Sequence, residues 1–375
     1  MTESQAYVAF NLTDNVGFAT VSELVAKAGS VTAAWDAWPK KISRTGGAVD
    51  VEAEFSKAKK FGVRIVTPAD ADYPVSLKNA PGAPLALYVK GDAKALAKPS
   101  IAMVGTRRAT AYGRDVANRL SHDLAQAGWC IVSGLALGID AEAHRGALDG
   151  GGLTVGVIGS GLDCFYPEEN RELAREIVKK GGAVVSEFPF GRPPDQQTFP
   201  IRNHVVAALA RGVVAVEAPV RSGTLITTGI AADLGRTVMA VPGRVGDRMS
   251  SGCLKLIRDG AILVRDADDV LEAMSELLPR GSGPTGRETQ DPRREESASS
   301  VFCHASLTDP DTPKYSVEEA LVMLHVDADG ISMDELIRKT KLPAAKVNAL
   351  AMSLRIKGFV RFLPGNRISL LTSHR

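Results

Sequence analysis

The residues with the most chemical promise are glycines and arginines that follow short apolar runs. Gly105-Thr106-Arg107-Arg108 follows Ile101-Ala102-Met103-Val104, and Ser133-Gly134-Leu135-Ala136-Leu137-Gly138-Ile139-Asp140 follows Cys130-Ile131-Val132. Gly159-Ser160-Gly161-Leu162-Asp163 follows Thr154-Val155-Gly156-Val157-Ile158, and Glu217-Ala218-Pro219-Val220-Arg221-Ser222-Gly223-Thr224 follows Val213-Val214-Ala215-Val216. Glycine lets the backbone approach an anion, the first N–H groups of a helix point outward, and Arg adds paired donors. That chemistry is phosphate recognition. One such turn is more often tight chain geometry than a site, but four on one sheet edge, two with Arg, make a platform of donors.

Other chemistries find less support. No GxGxxG opens the sheet, and Gly159-Ser160-Gly161-Leu162-Asp163-Cys164 lacks the third glycine of a dinucleotide fingerprint. No GxxxxGK[ST] and no Gly-x-Ser-x-Gly elbow occur, and His144 and His204 are isolated. Cys130, Cys164, Cys253 and Cys303 form no CxxC pair, against a zinc site or disulfide scaffold. Asp140 and Glu217 follow strands, where helix capping and turn anchoring are commoner jobs than catalysis, and Asp140 is placed to cap the next helix. The expectation is a binding protein with no catalytic residues, metal or cofactor.

The elements that must position these turns are legible from periodicity. Residues 99–272 alternate β-branched apolar runs, which also include Ala183-Val184-Val185, Thr237 to Val241 and Ala261 to Val264, with helix-length segments. Such alternation predicts an α/β fold with a doubly wound, mostly parallel sheet, and ligands there bind beyond the carboxyl ends of the strands. Residues 1–62 read as a small helical domain, 63–98 as a lead-in, 99–278 as the core domain, and 279–315 as a polar, Pro- and Gly-rich linker. Residues 316–375 hold three helical runs (Val317 to Leu324, Met333 to Ile337, Ala344 to Ile356) and a hairpin about Pro364-Gly365-Asn366, the order of a winged helix-turn-helix.

Composition limits the class. The 375 residues carry a net charge of +2 with 45% apolar and 23% charged residues, which excludes wholesale disorder and nucleic-acid binding by bulk charge. The most apolar stretch, Val205 to Val220, holds Arg211 and Glu217 and is too short to span a bilayer. No secretory signal is evident, so a cytoplasmic protein with no membrane partner is expected. Residues 99–272 hold 19 Lys plus Arg against 20 Asp plus Glu, yet 16 of the bases are Arg, the residue suited to planar phosphate recognition. Five of the 20 aromatics (Phe165, Tyr166, Phe188, Phe190 and Phe199) fall between 165 and 199. Most are expected to cap the core, with one or two free to stack on the bases of a single strand.

As an ordered set, these motifs resemble the DNA-processing protein A family, DprA or Smf. The set comprises Val104-Gly105-Thr106-Arg107 with Tyr112-Gly113, Ser133-Gly134-Leu135-Ala136 through Ala143-His144-Arg145, Gly159-Ser160-Gly161, Tyr166-Pro167, Ser186-Glu187, Phe199-Pro200-Ile201-Arg202-Asn203, Ser222 to Thr227 and Val241-Pro242-Gly243. The resemblance implies a Rossmann-like domain that binds single-stranded DNA without sequence preference. It also implies a homodimer that protects incoming DNA in natural transformation and helps load the RecA recombinase. Carried over residue by residue, it implies DNA contacts at Gly105, Thr106, Arg107, Ser133, Gly134, Phe199, Arg202, Asn203, Ser222, Gly223 and Thr224. Leu137 stands where the family usually has a basic residue, and His204 where it commonly has Arg.

A different class shares such a sheet: the lysine-decarboxylase-like nucleotide hydrolases. Those carry Pro-Gly-Gly-x-Gly-Thr followed by a catalytic Glu, whereas this chain reads Pro219-Val220-Arg221-Ser222-Gly223-Thr224 with no acid at that place. A regulator acting through the winged domain is disfavoured by its modest charge of nine bases and six acids over residues 316–375.

Overall fold

Apolar runs of four or five residues have both faces to bury, and they do so by lining up as neighbouring strands. The computed structural model describes residues 1–14, 16–39, 48–275, 317–326, 330–340, 342–357, 359–363 and 367–370. Four helices come first: α1 (Glu3–Leu12), α2 (Phe18–Ala28), α3 (Val31–Ala37) and α4 (Val51–Phe61). A capping box between Thr2 and Gln5 starts α1, and Gly29, at φ 83°, ends α2.

Then follow β1 (Arg64–Val66), α5 (Val75–Lys78), β2 (Leu87–Gly91), β3 (Ser100–Val104), α6 (Ala111–Gln126), β4 (Cys130–Ser133), α7 (Ile139–Asp149), β5 (Thr154–Val157), α8 (Arg171–Lys179) and β6 (Ala183–Ser186). The core continues with α9 (Thr198–Leu209), β7 (Gly212–Ala215), α10 (Gly223–Asp233), β8 (Thr237–Ala240), α11 (Ser251–Arg258), β9 (Ile262–Leu263) and α12 (Ala267–Ser275). The strand order is β1-β2-β6-β5-β4-β3-β7-β8-β9, parallel from β6 to β9. Order reverses at β3, because β4 lies on one side of it and β7 on the other. The crevice between the β3 and β7 ends is therefore the topological switch point.

The lead-in differs from its sequence reading. Leu87, Tyr88 and Val89 are all buried, and β2 pairs antiparallel with β6 while β1 pairs antiparallel with β2, so residues 63–98 extend the sheet itself. The helical layer packs against this edge through Phe190, which stacks on Phe61 at 5.4 Å and meets Tyr88 edge-on at 5.3 Å. Glu54 on α4 accepts the Phe190 N–H at 2.9 Å, and burial raises its carboxyl above the usual range.

The C-terminal unit comprises α13 (Val317–Met323), β10 (Ile331–Ser332), α14 (Met333–Thr340), α15 (Ala344–Ile356), β11 (Val360–Leu363) and β12 (Arg367–Leu370), with its three strands ordered β10-β12-β11. This is a winged helix. The 364–366 turn and the 279–315 linker lie outside the described residues.

One buried group makes stability depend on pH. His144 on α7 is fully buried, its Nδ1 lies 2.6 Å from Thr154 Oγ1, and Thr154 in turn donates to the Ile131 carbonyl. Burial, then the charges of Arg202 and Arg145, push its pKa down from 6.5 to about 3. The unfolded chain binds this proton more tightly, so the contribution is complete above pH 6.5 and is lost as pH falls toward 3. At pH 5 the loss is about 2 kcal/mol. Urea unfolding at pH 7 and pH 5 should show it, and His144→Gln should flatten the difference; an unchanged slope would assign the loss to other groups.

Candidate nucleic-acid interface

At the switch point the loops after β3, β4 and β7 interlock by backbone contact. The Thr106 N–H donates to the Glu217 carbonyl at 2.7 Å, and the Ile139 N–H donates to the Thr106 carbonyl at 3.2 Å. Gly138, at φ +79°, lies so close that a Cβ there would meet the Thr106 carbonyl and the Arg107 backbone, and a Cβ on Gly105 would meet Ile139. Only glycine permits this approach.

The two acids noted in the sequence are spent inside these loops. Glu217 is buried, and its carboxylate accepts from the Thr110 N–H and hydroxyl, both at 2.8 Å, which fixes the start of α6. Asp140 does not cap α7, whose first turn begins after Gly138; its carboxylate turns back to accept from the Gly134 and Ala136 N–H groups at 3.1 and 3.4 Å. Burial raises its pKa, opposed by Arg202, these two bonds and Arg107. A side chain that the sequence reading missed completes the loop: Asn170 donates to the Leu135 and Ala136 carbonyls at 2.9 and 3.0 Å. Leu135 is held between these contacts at φ 51°, a left-handed conformation that costs a non-glycine residue roughly 1 kcal/mol. The Tyr166-Pro167 motif three residues upstream was the available signal for Asn170.

Arg202 enters from α9. Its buried guanidinium donates through Nη1 to the Gly134 carbonyl and, at 2.7 Å, to the Val157 carbonyl, while Nε donates to Asn203 Oδ1 at 3.2 Å. Burial lowers its pKa, with Asp140 opposing and Arg107 adding to the shift. Above it lies Phe199, whose ring centroid is 5.9 Å from the Arg202 guanidinium carbon and 4.7 Å from that of Arg107. Among the described residues no carboxylate pairs with Arg107 or Arg108, whereas Arg145 is held by Glu142 and Arg192 by Asp195.

These loops enclose a cavity of about 360 Å³, lined by Gly105, Thr106, Arg107, Gly134, Phe199, Arg202, Asn203, Ser222, Gly223 and Thr224, together with Arg108, Asp140 and Thr227. Ten of the eleven residues singled out from the sequence thus converge. The eleventh, Ser133, is fully buried outside the lining and donates to the Met103 carbonyl at 2.6 Å, where it ties β4 to β3. Opposite Arg107, Ser222 precedes α10 without capping it, and its Oγ is buried with no hydrogen-bond partner among the described residues. The uncapped N-terminus of α10, Arg107 and Arg108 line one space, an arrangement for holding an anion.

A smaller cleft of about 30 Å³ adjoins it, shared by Arg107, Gly134, Leu137, Tyr166, Phe199 and Arg202. Tyr166 is 47% exposed and its ring centroid is 6.3 Å from that of Phe199, so these two aromatics are the ones presented at the site. Phe188 and Phe190 are buried, and Phe165 packs under Arg171. Leu137 is exposed at the cleft, whereas His204 lies against Gly82, with its Nε2 3.7 Å from where a Cβ there would stand.

Residues 64–275 match the family described as DNA recombination-mediator protein A, and residues 307–366 match the DprA winged helix domain. The chain belongs to the DNA recombination-mediator protein A family. It is 33% identical over 307 residues to protein Smf of Escherichia coli, covering 81% of this chain and 76% of that protein. It is 39% identical to the DNA processing protein DprA of Bacillus subtilis, over 58% of this chain and 73% of that one. Among solved structures it resembles DprA from Streptococcus pneumoniae, with TM-score 0.62 and 33% identity over 72% of this chain and 98% of the other. It also resembles DNA processing protein A from Helicobacter pylori, solved to describe single-stranded DNA binding, with TM-score 0.52 and 28% identity over 58% of this chain and 98% of that one.

The glycines of the cavity separate by what surrounds them. A Cβ on Gly134 would meet the Arg202 guanidinium and lie 2.6 Å from Asp140 Oδ2, whereas one on Gly223 would meet nothing within 4 Å. Gly134→Ala should cost about 1–3 kcal/mol in urea unfolding. Gly223→Ala should stay within about 0.5 kcal/mol of the parent. Equal stabilities would mean the loop shifts freely around Gly134.

Proposed function

We propose that this protein binds single-stranded DNA without sequence preference at the switch-point cavity. The observation that carries the reading is the convergence of Arg107 and Arg108, with which no carboxylate among the described residues pairs, and the uncapped N-terminus of α10 beside the exposed Tyr166 and the half-buried Phe199. Phosphates suit the first set and base faces suit the second. In this reading Arg107 and Arg108 hold phosphates, Ser222, Gly223 and Thr224 offer backbone donors at the start of α10, and Phe199 stacks a base. Arg202 stiffens the floor, because its Nη1 is engaged with two backbone carbonyls and its Nε with Asn203. No base edge is read, so no base is recognised by its identity.

The family relationship supports a place in DNA processing, and the Helicobacter pylori relative was solved for its single-stranded DNA binding mode. By that relationship the protein acts as a homodimer, protects incoming single strands during natural transformation and helps load a RecA-type recombinase, without being an enzyme. The nucleotide-hydrolase alternative lacks its catalytic acid, since Leu225-Ile226-Thr227 follow the Gly223-Thr224 turn where that class carries Glu, and the nearby Glu217 is engaged by Thr110.

Titration of labelled oligo-dT at two salt concentrations should show affinity falling as salt rises, because neutralised phosphates release counterions. Absence of binding at low salt would overturn the reading, and release of base from nucleoside monophosphates would favour the hydrolase. Arg107→Ala should weaken binding to every sequence alike and lower the salt slope by about one. A variant with parental affinity would make that loop structural.

A further inference from the structure

In groove-reading winged domains the recognition helix presents polar and basic side chains to base edges. In chain order α15 holds the place of that helix, yet none of its described residues is exposed. Val347, Leu350, Ala351 and Leu354 close the winged domain's own core. The other face, Ala345, Asn348, Ala349 and Met352 at i, i+3, i+4 and i+7, lies against Thr237 and Val238 of β8, Gly260 and Ile262. Met352 joins the apolar cluster of the main sheet, against which Leu225, Ile230 and Leu234 also pack.

Charge borders this seam. Arg355 pairs with Asp259 at 2.9 Å, and Lys357 lies 3.8 Å from Asp233, the last residue of α10. Lys357 is itself fixed by Glu319 of α13 at 2.9 Å, and the Phe362 ring lies 5.3 Å from the Arg355 guanidinium carbon and against Gly260. Basic groups of the winged domain thus meet acids of the core. The opposite end of α10 begins at Gly223 in the cavity, one helix of about 16 Å away.

The residue types decide between two uses. Ala345, Ala349 and Met352 carry no group that reaches a base edge, and Asn348 is the single polar member of the face. We infer that the winged domain is an intramolecular brace: α15 clamps the far end of α10 and thereby fixes how the first turn of α10 faces the cavity, while reading no duplex itself. Met352, Arg355 and Lys357 are positioning residues, since none lines the cavity. The consequence for DNA rests on the single-strand reading above; the docking does not.

The test uses the full chain, with Met352→Asp breaking the apolar seam and Asp233→Arg with Asp259→Arg reversing the charges from the core side. Both should raise the radius of gyration in small-angle scattering, through release of the winged domain. Both should weaken oligo-dT binding about threefold to tenfold, the range over which packed elements couple distant sites. The salt slope should not change, because no phosphate contact is removed. Labelled duplex should bind no better than to the parent, and Met352→Leu should behave as the parent throughout. Release with parental oligo-dT affinity would overturn the brace, and release with gained duplex binding would make α15 a masked reader. An unchanged radius in both variants would overturn docking through this seam. A parent that fails to bind oligo-dT would count against the proposed function alone, with scattering still deciding the docking.

Discussion

The site depends on one buried guanidinium. Arg202 projects from α9 to the carboxyl ends of β4 and β5 and donates to the Gly134 and Val157 carbonyls. A buried cation is costly unless its donors are engaged and a carboxylate lies near. Asp140 supplies that neighbour, and its own carboxylate holds the loop that carries Gly134. Removing either leaves the other charge buried, so loop, helix and strand ends form one electrostatic unit. Phe199 and Arg107 are stacked on its outer side.

The second constraint is steric. Gly138 and Gly105 bring neighbouring loops to backbone contact, and Leu135 is kept in a left-handed conformation by packing and by Asn170. Strain of this kind persists only where the surroundings over-determine it. Here the surroundings are Asp140, Asn170 and the leucine's own burial beneath Gly156. The wall of the cavity is thus assembled before any ligand arrives.

Much of this was legible in the sequence, because strand ends in a parallel sheet announce themselves as apolar runs that stop at glycine. The turns at Gly105, Gly134 and Ser222 could be placed on one edge from that pattern alone, and the winged domain from its order of helices and hairpin. What the pattern could not carry was orientation. Ser133 and Gly134 are adjacent, yet strand alternation turns the first inward to Met103 and leaves the second at the cavity. Asp140 has the position of a cap but folds back into its loop, which depends on Arg202 arriving from 62 residues away. The pairing of β2 with β6 was hidden because antiparallel edge strands in a lead-in have no periodic helix between them to mark a crossover.

The prebuilt wall has a thermodynamic corollary. Since its loops are tied to one another by backbone bonds and contact-close glycines, little conformational entropy remains in the protein for binding to remove. For a single strand seated there, the ordering cost falls almost wholly on the nucleic acid. On the proposed reading, discrimination among ligands would follow their stiffness: a strand that stacks weakly on itself would bend into the cavity and give up its bases to Phe199 more readily than a strongly stacked one. Apparent sequence preference would be a property of the oligonucleotide's own flexibility, with no base read at all.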